Sequence, residues 1–242
     1  MSKPEIFNKP KNHLLAALPD EDYQRLLPHL EEVQLPLRKI LYEPGETPSA
    51  VYFPNNAMVS LVATMEDGAT VEVGLVGAEG VIGLPIVLGG KATVYQAIVQ
   101  LPGTGTRLDA DIFKAEFERG EYLQRLVLLY TQALLTQVSQ NAVCNRLHTI
   151  DERLGRWLLS VQDSLEADEL PLTQEFISQM LGTRRASVTV AAGSLQEQGI
   201  ISYSRGKITI LNRERLREKS CECYNVISGE FNRLLGLKRN WS

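Results

Sequence analysis

Arg184 and Arg185, followed by Ser187 and Thr189, stand at the head of a stretch whose apolar residues recur with helical period. A guanidinium on the first turn of a helix can bond bidentately to guanine N7 and O6 in the major groove, while hydroxyls reach phosphate. Upstream, Thr173 can cap a helix that places Phe176, Ile177, Met180 and Leu181 on one face. Gly182 then permits a left-handed turn into a second helix, Arg184 to Gln198, buried through Val188, Ala191, Ala192 and Leu195. Gly199 ends it, and residues 200–210 read as a hairpin turning at Arg205-Gly206, with Arg205 and Lys207 at its tip for phosphate. Any one of these charges would suit a solvated helix. Cap, turn glycine, twin arginines and basic hairpin together point to a winged helix-turn-helix on duplex DNA.

The charge distribution agrees with that reading. The chain of 242 residues has a net charge of −4, yet residues 171–219 hold eight basic side chains against four acidic ones. A locally basic module on an acidic body can approach phosphate, whereas a uniformly acidic protein would be repelled.

Other chemistries find little footing. His13, His29 and His148 match no metal or triad spacing, so no catalytic residue is expected. Three cysteines, Cys144, Cys221 and Cys223, are an odd number and suit a reducing compartment better than a disulfide framework. Cys221-Glu222-Cys223 offers a pair that binds metal or responds to oxidation in other settings, but two thiolates one residue apart on a helical pattern should point in different directions, so they are read as structural or incidental. Haem held through His148 has only weak support. No metal and no cofactor are expected.

The elements that must position the basic motif follow from texture. A short helical start precedes a Val- and Gly-rich region, Val33 to Leu108, whose alternating apolar residues and turn formers predict a compact β unit. Expected strands are Val33–Tyr42, Ala50–Phe53, Met58–Ala63, Thr70–Leu75, Thr93–Gln100 and Thr106–Leu108. From Gly120 to Ser164 a helix or helix pair carries Leu126, Leu129, Ala133, Val143, Leu147, Ile150, Leu154, Trp157 and Val161 at three-four spacing, as a dimer helix would. Polar Thr136, Gln137, Ser139, Gln140 and Asn141 interrupt this seam, either fixing register between two copies or facing a ligand cavity. Gln162 to Leu170 reads as an acidic linker. The tail from Glu214 to Leu235 is helical and expected to pack on the C-terminal unit or on a partner subunit. The fold class is therefore α+β: an N-terminal antiparallel, jelly-roll-like β-roll (1–119), a long dimerisation helix and hinge (120–164), and a C-terminal winged helix-turn-helix with a helical extension (165–242). The N-terminus lacks an apolar leader and no stretch approaches the roughly 18 apolar residues of a membrane span, which predicts a cytoplasmic protein without membrane contact.

Over nearly its whole length the chain resembles the Crp/Fnr family of bacterial regulators, most strongly in Thr173 to Ile210 and in the approach helix Glu152-Arg153-Leu154-Gly155-Arg156-Trp157-Leu158-Leu159. The resemblance implies a cyclic-nucleotide-binding-like roll, a homodimer on double-stranded DNA and RNA polymerase as a further partner. It makes Arg185 a base reader, places Ala186 and Val190 at two other base-reading positions, and assigns Thr173, Arg184 and Ser187 to phosphates. Ala186 and Val190 cannot donate polar contacts, so the half-site of the cyclic-AMP receptors is not implied. Nucleotide-binding relatives carry a Gly-Glu pair and a following Arg. Here Gly83 is followed by Leu84-Pro85 and no arginine comes after, so tight cyclic-nucleotide binding is not expected. If another effector is sensed, Gly83, Leu84, Thr93, Gln137 and Ser139 are the candidate pocket; otherwise protein level sets activity. An iron-sulfur sensor of the family's kind needs four cysteines near the N-terminus, which this chain lacks. The alternative function is a ligand- or partner-sensing protein whose DNA contact is nonspecific or vestigial.

Overall fold

The computed structural model describes residues 10–165 and 167–236. Helix α1 (His13–Ala16) starts at Asn12, whose Oδ1 accepts from the Leu14 and Leu15 amides. The same buried side chain donates to the carbonyls of Pro54 and Gly80, so one asparagine ties the N-terminal helix to the roll. Helix α2 (Asp20–Leu26) follows.

Seven strands build the roll: β1 (Glu31–Leu35), β2 (Ile40–Tyr42), β3 (Ala50–Pro54), β4 (Met58–Thr64), β5 (Thr70–Val76), β6 (Gln96–Leu101) and β7 (Gly103–Asp109). They form two antiparallel sheets, ordered β1-β7-β3 and β2-β6-β4-β5. The expected single strand Val33–Tyr42 is two strands in different sheets. Pro36 supplies no amide and Arg38 adopts a positive φ of 65°, which turns the chain between them. Inward residues Leu35, Val51, Phe53, Val59, Leu61, Val99 and Leu108 fill the interior.

Helix α3 (Ala110–Glu118) leads to α4 (Tyr122–Leu147) and α5 (Ile150–Leu165). The long helical region is thus a pair, broken at His148–Thr149. Glu152 accepts from the Thr149 amide and hydroxyl, while its own amide donates to Thr149 Oγ1, a capping box that starts α5 independently. After the break Leu154, Trp157 and Val161 enter the core of the C-terminal unit, whereas Val143 and Leu147 stay exposed, so the anticipated single seam is divided between two tasks.

The C-terminal unit comprises β8 (Glu169–Leu170), α6 (Gln174–Met180), α7 (Arg185–Glu197), β9 (Ile201–Ser204), β10 (Lys207–Ile210), α8 (Arg213–Lys219) and α9 (Cys223–Leu235), with a small sheet ordered β8-β10-β9. The acidic segment expected to be a linker is built in. Gln162 and Asp163 lie on α5 and hold Arg213, and β8 pairs with β10. Helix α9 packs mainly along α4 of its own chain, with Phe231 edge-on to Tyr130 at 6.3 Å, rather than on the C-terminal unit. No helix among the described residues is long and apolar enough to cross a membrane.

Two of the polar residues of α4, Gln137 and Asn141, turn inward to the free edge of β5. Gln137 Oε1 accepts from the Leu75 amide at 2.7 Å and Asn141 Nδ2 donates to the Val73 carbonyl at 3.2 Å. Glu72, fully buried on the same strand, accepts from Ser60 Oγ and from Trp157 Nε1 of α5. Burial pushes its carboxyl up to about 7, opposed by those two donors and by Arg156. A carboxyl that binds its proton more tightly when folded favours the folded state less as it ionises. Stability should therefore fall as pH rises from about 4.5 to about 7, and Glu72→Gln should flatten that slope in urea titrations across the window.

Candidate nucleic-acid interface

Thr173 caps α6 as its sequence position predicts, its Oγ1 accepting from the Phe176 amide. Its hydroxyl proton remains for an external acceptor. Ile177, Met180 and Leu181 are buried, and Phe176 is half-buried against Trp157 with ring centroids 5.9 Å apart. Gly182 takes a φ of 56°, and α7 then runs with Val188, Ala191, Ala192 and Leu195 buried. Arg184 is its N-cap residue and offers no side-chain acceptor; the Ser187 amide donates to the Arg184 carbonyl at 2.9 Å, and the amides of Arg185 and Ala186 point toward an anion.

Arg184, Arg185, Ala186, Thr189 and Val190 are exposed and Ser187 is partly so. Among the described residues no ion pair uses Arg184 or Arg185. The Thr189 hydroxyl is shared inside the motif between Gln174 Oε1 at 2.9 Å and the Arg185 carbonyl at 3.1 Å. It fixes α7 against α6, a role the sequence reading did not assign to it.

The wing is a hairpin with Arg205 and Gly206 both at positive φ, as a tight two-residue turn requires. Its tip lies over the start of α6: a Cβ on Gly206 would sit 3.3 Å from Thr173 Cγ2. Tyr203 anchors this approach, its hydroxyl accepting from the Gln174 amide and its own amide donating to Gln196 Oε1. Of the two tip cations, Arg205 is exposed and Lys207 is ion-paired with Glu169. An exposed pair of this kind is worth about 0–1 kcal/mol, little enough for a phosphate to displace Glu169.

Across from the motif stands the β4–β5 hairpin of the roll. A cleft of about 1030 Å³ separates Met65 to Val71 from Gln179, Arg184, Arg185 and Ser187. At its floor Gly182 lies against Val71, where a Cβ would sit 3.0 Å from Val71 Cγ2.

The remaining candidate residues do not converge. Gly83 packs beneath Val51 at a φ of 109°, Leu84 is buried in the roll, and Thr93 lies in the stretch before β6, its carbonyl accepting from the Gly45 amide. Gln137 is committed to β5 and Ser139 faces solvent, because consecutive polar positions on a helix diverge by about 100° and only Gln137, Gln140 and Asn141 turn inward. The cysteine expectation is corrected as well. Cys221 precedes α9 rather than lying on it, so it and Cys223 reach one buried cluster with Cys144, beside His148. Sequence offered only the spacings Cys144-x3-His148 and Cys221-x-Cys223 as signals, 73 positions apart at their nearest.

The family models match this arrangement part by part: a cyclic nucleotide-binding domain over residues 32–120 and a Crp-like helix-turn-helix domain over residues 152–219. The chain belongs to the Crp/Fnr family. Two curated relatives are global nitrogen regulators. That of Synechocystis sp. is 26% identical over 200 residues, covering 75% of this chain and 84% of the relative. That of Nostoc sp. is 26% identical over 184 residues, covering 71% and 81%. Among solved structures, FixK2 from Bradyrhizobium japonicum superposes with a TM-score of 0.69 at 19% identity, covering 79% of this chain and 98% of that one. The c-di-GMP responsive regulator CLP of Xanthomonas campestris reaches 0.65 at 14% identity, covering 79% and 99%. As a Crp/Fnr protein with this motif, the chain is a DNA-binding transcription regulator.

Gly182 tests the local geometry. Gly182→Ala adds a Cβ 3.0 Å from Val71 Cγ2 and forces alanine into the left-handed region, which should cost about 1–2 kcal/mol and lower the melting temperature by several degrees in calorimetry. An unchanged melting temperature would show that the turn relaxes freely.

Proposed function

We propose that the chain acts as a two-fold homodimer that reads a palindromic DNA site, its half-sites about one helical turn apart. The observation that carries this reading is Arg184 and Arg185, exposed and outside any ion pair among the described residues, at the N-terminus of a helix whose opposite face is buried. Arg185 reads a guanine edge. Thr173, Arg184 and Ser187 contact phosphate, with Arg205 and Lys207 of the wing alongside, while Ala186 and Val190 offer only apolar contact. In this division residues 1–119 are the sensor roll, 120–164 the dimer helix and hinge, and 165–242 the DNA unit. Such a protein works in the cytoplasm beside its DNA, with RNA polymerase as its protein partner.

Dimerisation is supported by α4. Leu128, Leu135, Val143 and Leu147 are 49%, 64%, 44% and 71% exposed, at spacings of seven, eight and four, which makes an apolar stripe of the kind two helices share. Control by a ligand other than cyclic AMP, or by protein level, is supported by Leu84, which puts a buried hydrocarbon where nucleotide-binding relatives carry a carboxylate.

Selection of bound sequences from a random duplex pool tests the reading. A palindromic consensus is expected, and Arg185→Ala should weaken binding to it by about 1–3 kcal/mol while relaxing the base preference at one position of each half-site. Strongly salt-dependent binding without any consensus would instead favour a sensing protein with vestigial DNA contact. Leu135→Glu, on an exposed position, should leave the fold intact by circular dichroism and shift the chain from dimer to monomer in sedimentation, with DNA affinity falling in parallel.

A further inference from the structure

Four ligating side chains meet where α4 ends and α9 begins. Cys144 lies on the last turn of α4 and His148 is its C-cap, Cys221 sits in the loop after α8, and Cys223 is the first residue of α9. One ligand atom from each lies within 4.8 Å of every other. Cys144 and Cys221 are 3.5 Å apart at sulfur, and Cys223 Sγ is 3.5 Å from His148 Nδ1. The three cysteines are 0–3% exposed and the histidine side chain 13%.

We propose that Cys144, His148, Cys221 and Cys223 form a closed, four-coordinate Zn²⁺ site that staples the hinge end of α4 to the head of α9. Tetrahedral zinc with Zn–S of about 2.3 Å and Zn–N of about 2.0–2.1 Å separates its sulfurs by about 3.8 Å, and sulfur from nitrogen by about 3.5 Å. The observed separations suit a single ion, whereas a cluster of several irons spreads its thiolates farther.

The surroundings are those of a metal site rather than of idle thiols. His148 turns Nδ1 toward the sulfurs while Nε2 is 3.2 Å from Glu222 Oε2, the carboxylate–histidine arrangement that orients a ligating imidazole. Gln140 Nε2 donates to Cys223 Sγ at 3.2 Å. Three thiolates and Zn²⁺ leave one negative charge. Arg153 and Arg156, both buried and, among the described residues, both without a partner at Nε, act electrostatically on Cys144 and Cys221, and their two charges offset that of the site together with the Glu222 carboxylate. A Cys144–Cys221 disulfide would use two of the four groups and leave the Glu222–His148 pair and Gln140 without purpose. Binding requires loss of the thiol protons to solvent as the ion enters, with no change of redox state.

The test uses the untagged full-length chain, purified under reducing conditions from zinc-supplemented cells. Elemental analysis should give about one zinc per chain, retained through dialysis, and exchange with Co²⁺ should produce the intense visible bands of tetrahedral, sulfur-rich cobalt. Glu222 is exposed, so Glu222→Gln should fold normally yet bind zinc about 10-fold or more weakly in competition with a chelating dye. Cys144→Ser should abolish stoichiometric metal, and chelation should lower the melting temperature of the parent chain. The proposal fails if the chain holds no stoichiometric zinc and gives no tetrahedral cobalt spectrum, or if mass spectrometry finds a Cys144–Cys221 disulfide in the reduced preparation. It fails equally if Glu222→Gln and a folded Cys144→Ser both keep parental zinc affinity. If Cys144→Ser does not fold, Glu222→Gln alone decides.

Discussion

The free edge of β5 organises the molecule. This strand pairs only with β4, so the backbone groups on its other side must be satisfied by something else, because buried unpaired amides and carbonyls are costly. Two side chains of α4 do so directly, Gln137 at the Leu75 amide and Asn141 at the Val73 carbonyl. The ladder to β4 slips at Leu61/Val62, where Gly74 and Glu72 find partners and Val73 is extra. Gly74 adds to this closeness: a Cβ there would already touch Leu61 and Leu134. The strand is thereby held to the long helix by hydrogen bonds that fix one register, whereas apolar packing alone would tolerate sliding.

From the same strand the contacts run on into the C-terminal unit. Glu72 receives Trp157 of α5, Ser60 on the neighbouring strand lies 3.7 Å from Met180 Sδ, and Val71 meets the turn at Gly182. Met58, Leu75 and Leu101 of the roll share a core with α5, α6 and α7. Helix α7 therefore takes its position from the roll through packed side chains rather than through a loose tether. Strand β5 thus touches both the long helix and the turn that precedes Arg184 and Arg185.

What could be read in advance was what local pattern controls. Alternation in Met58–Ala63 and Thr70–Leu75 placed β4 and β5 within a residue or so, and cap, glycine and apolar face located the helix-turn-helix. The split at Pro36–Arg38 escaped notice because the apolar alternation runs across it, although Pro36 was the available sign. The break at His148 was written in Thr149-Ile150-Asp151-Glu152, a capping box hidden inside an otherwise continuous helical period. Gln137, Asn141 and the cysteines were beyond local reading, for their partners lie 62, 68 and 77 positions away. A polar residue on a helix seam shows that some partner exists; which one depends on how the strands curl back.

Charge counting along the sequence also overstated the cation available for DNA. Of the eight basic residues in 171–219, Arg213 is engaged with Gln162, Asp163 and the Tyr224 hydroxyl, Arg215 with the Gln198 carbonyl, Arg217 with Asn225 and Lys207 with Glu169. Arg213 ties α8 to α5 and α9, Arg215 ties it to the end of α7, and Arg217 ties it to α9. Arg184, Arg185, Arg205 and Lys219 remain as exposed cations outside any described ion pair. Arg153 and Arg156, outside that stretch, are buried instead, on a part of α5 that is enclosed on every side, Arg153 donating to the Leu181 carbonyl. Side chains of one chemistry are thus sorted by where each falls on its helix, into braces, buried cations and a small exposed group free of ion pairs among the described residues. A field concentrated at a helix start and a wing tip steers a polyanion to one surface of an otherwise acidic protein, which a uniform spread of the same charges would not do.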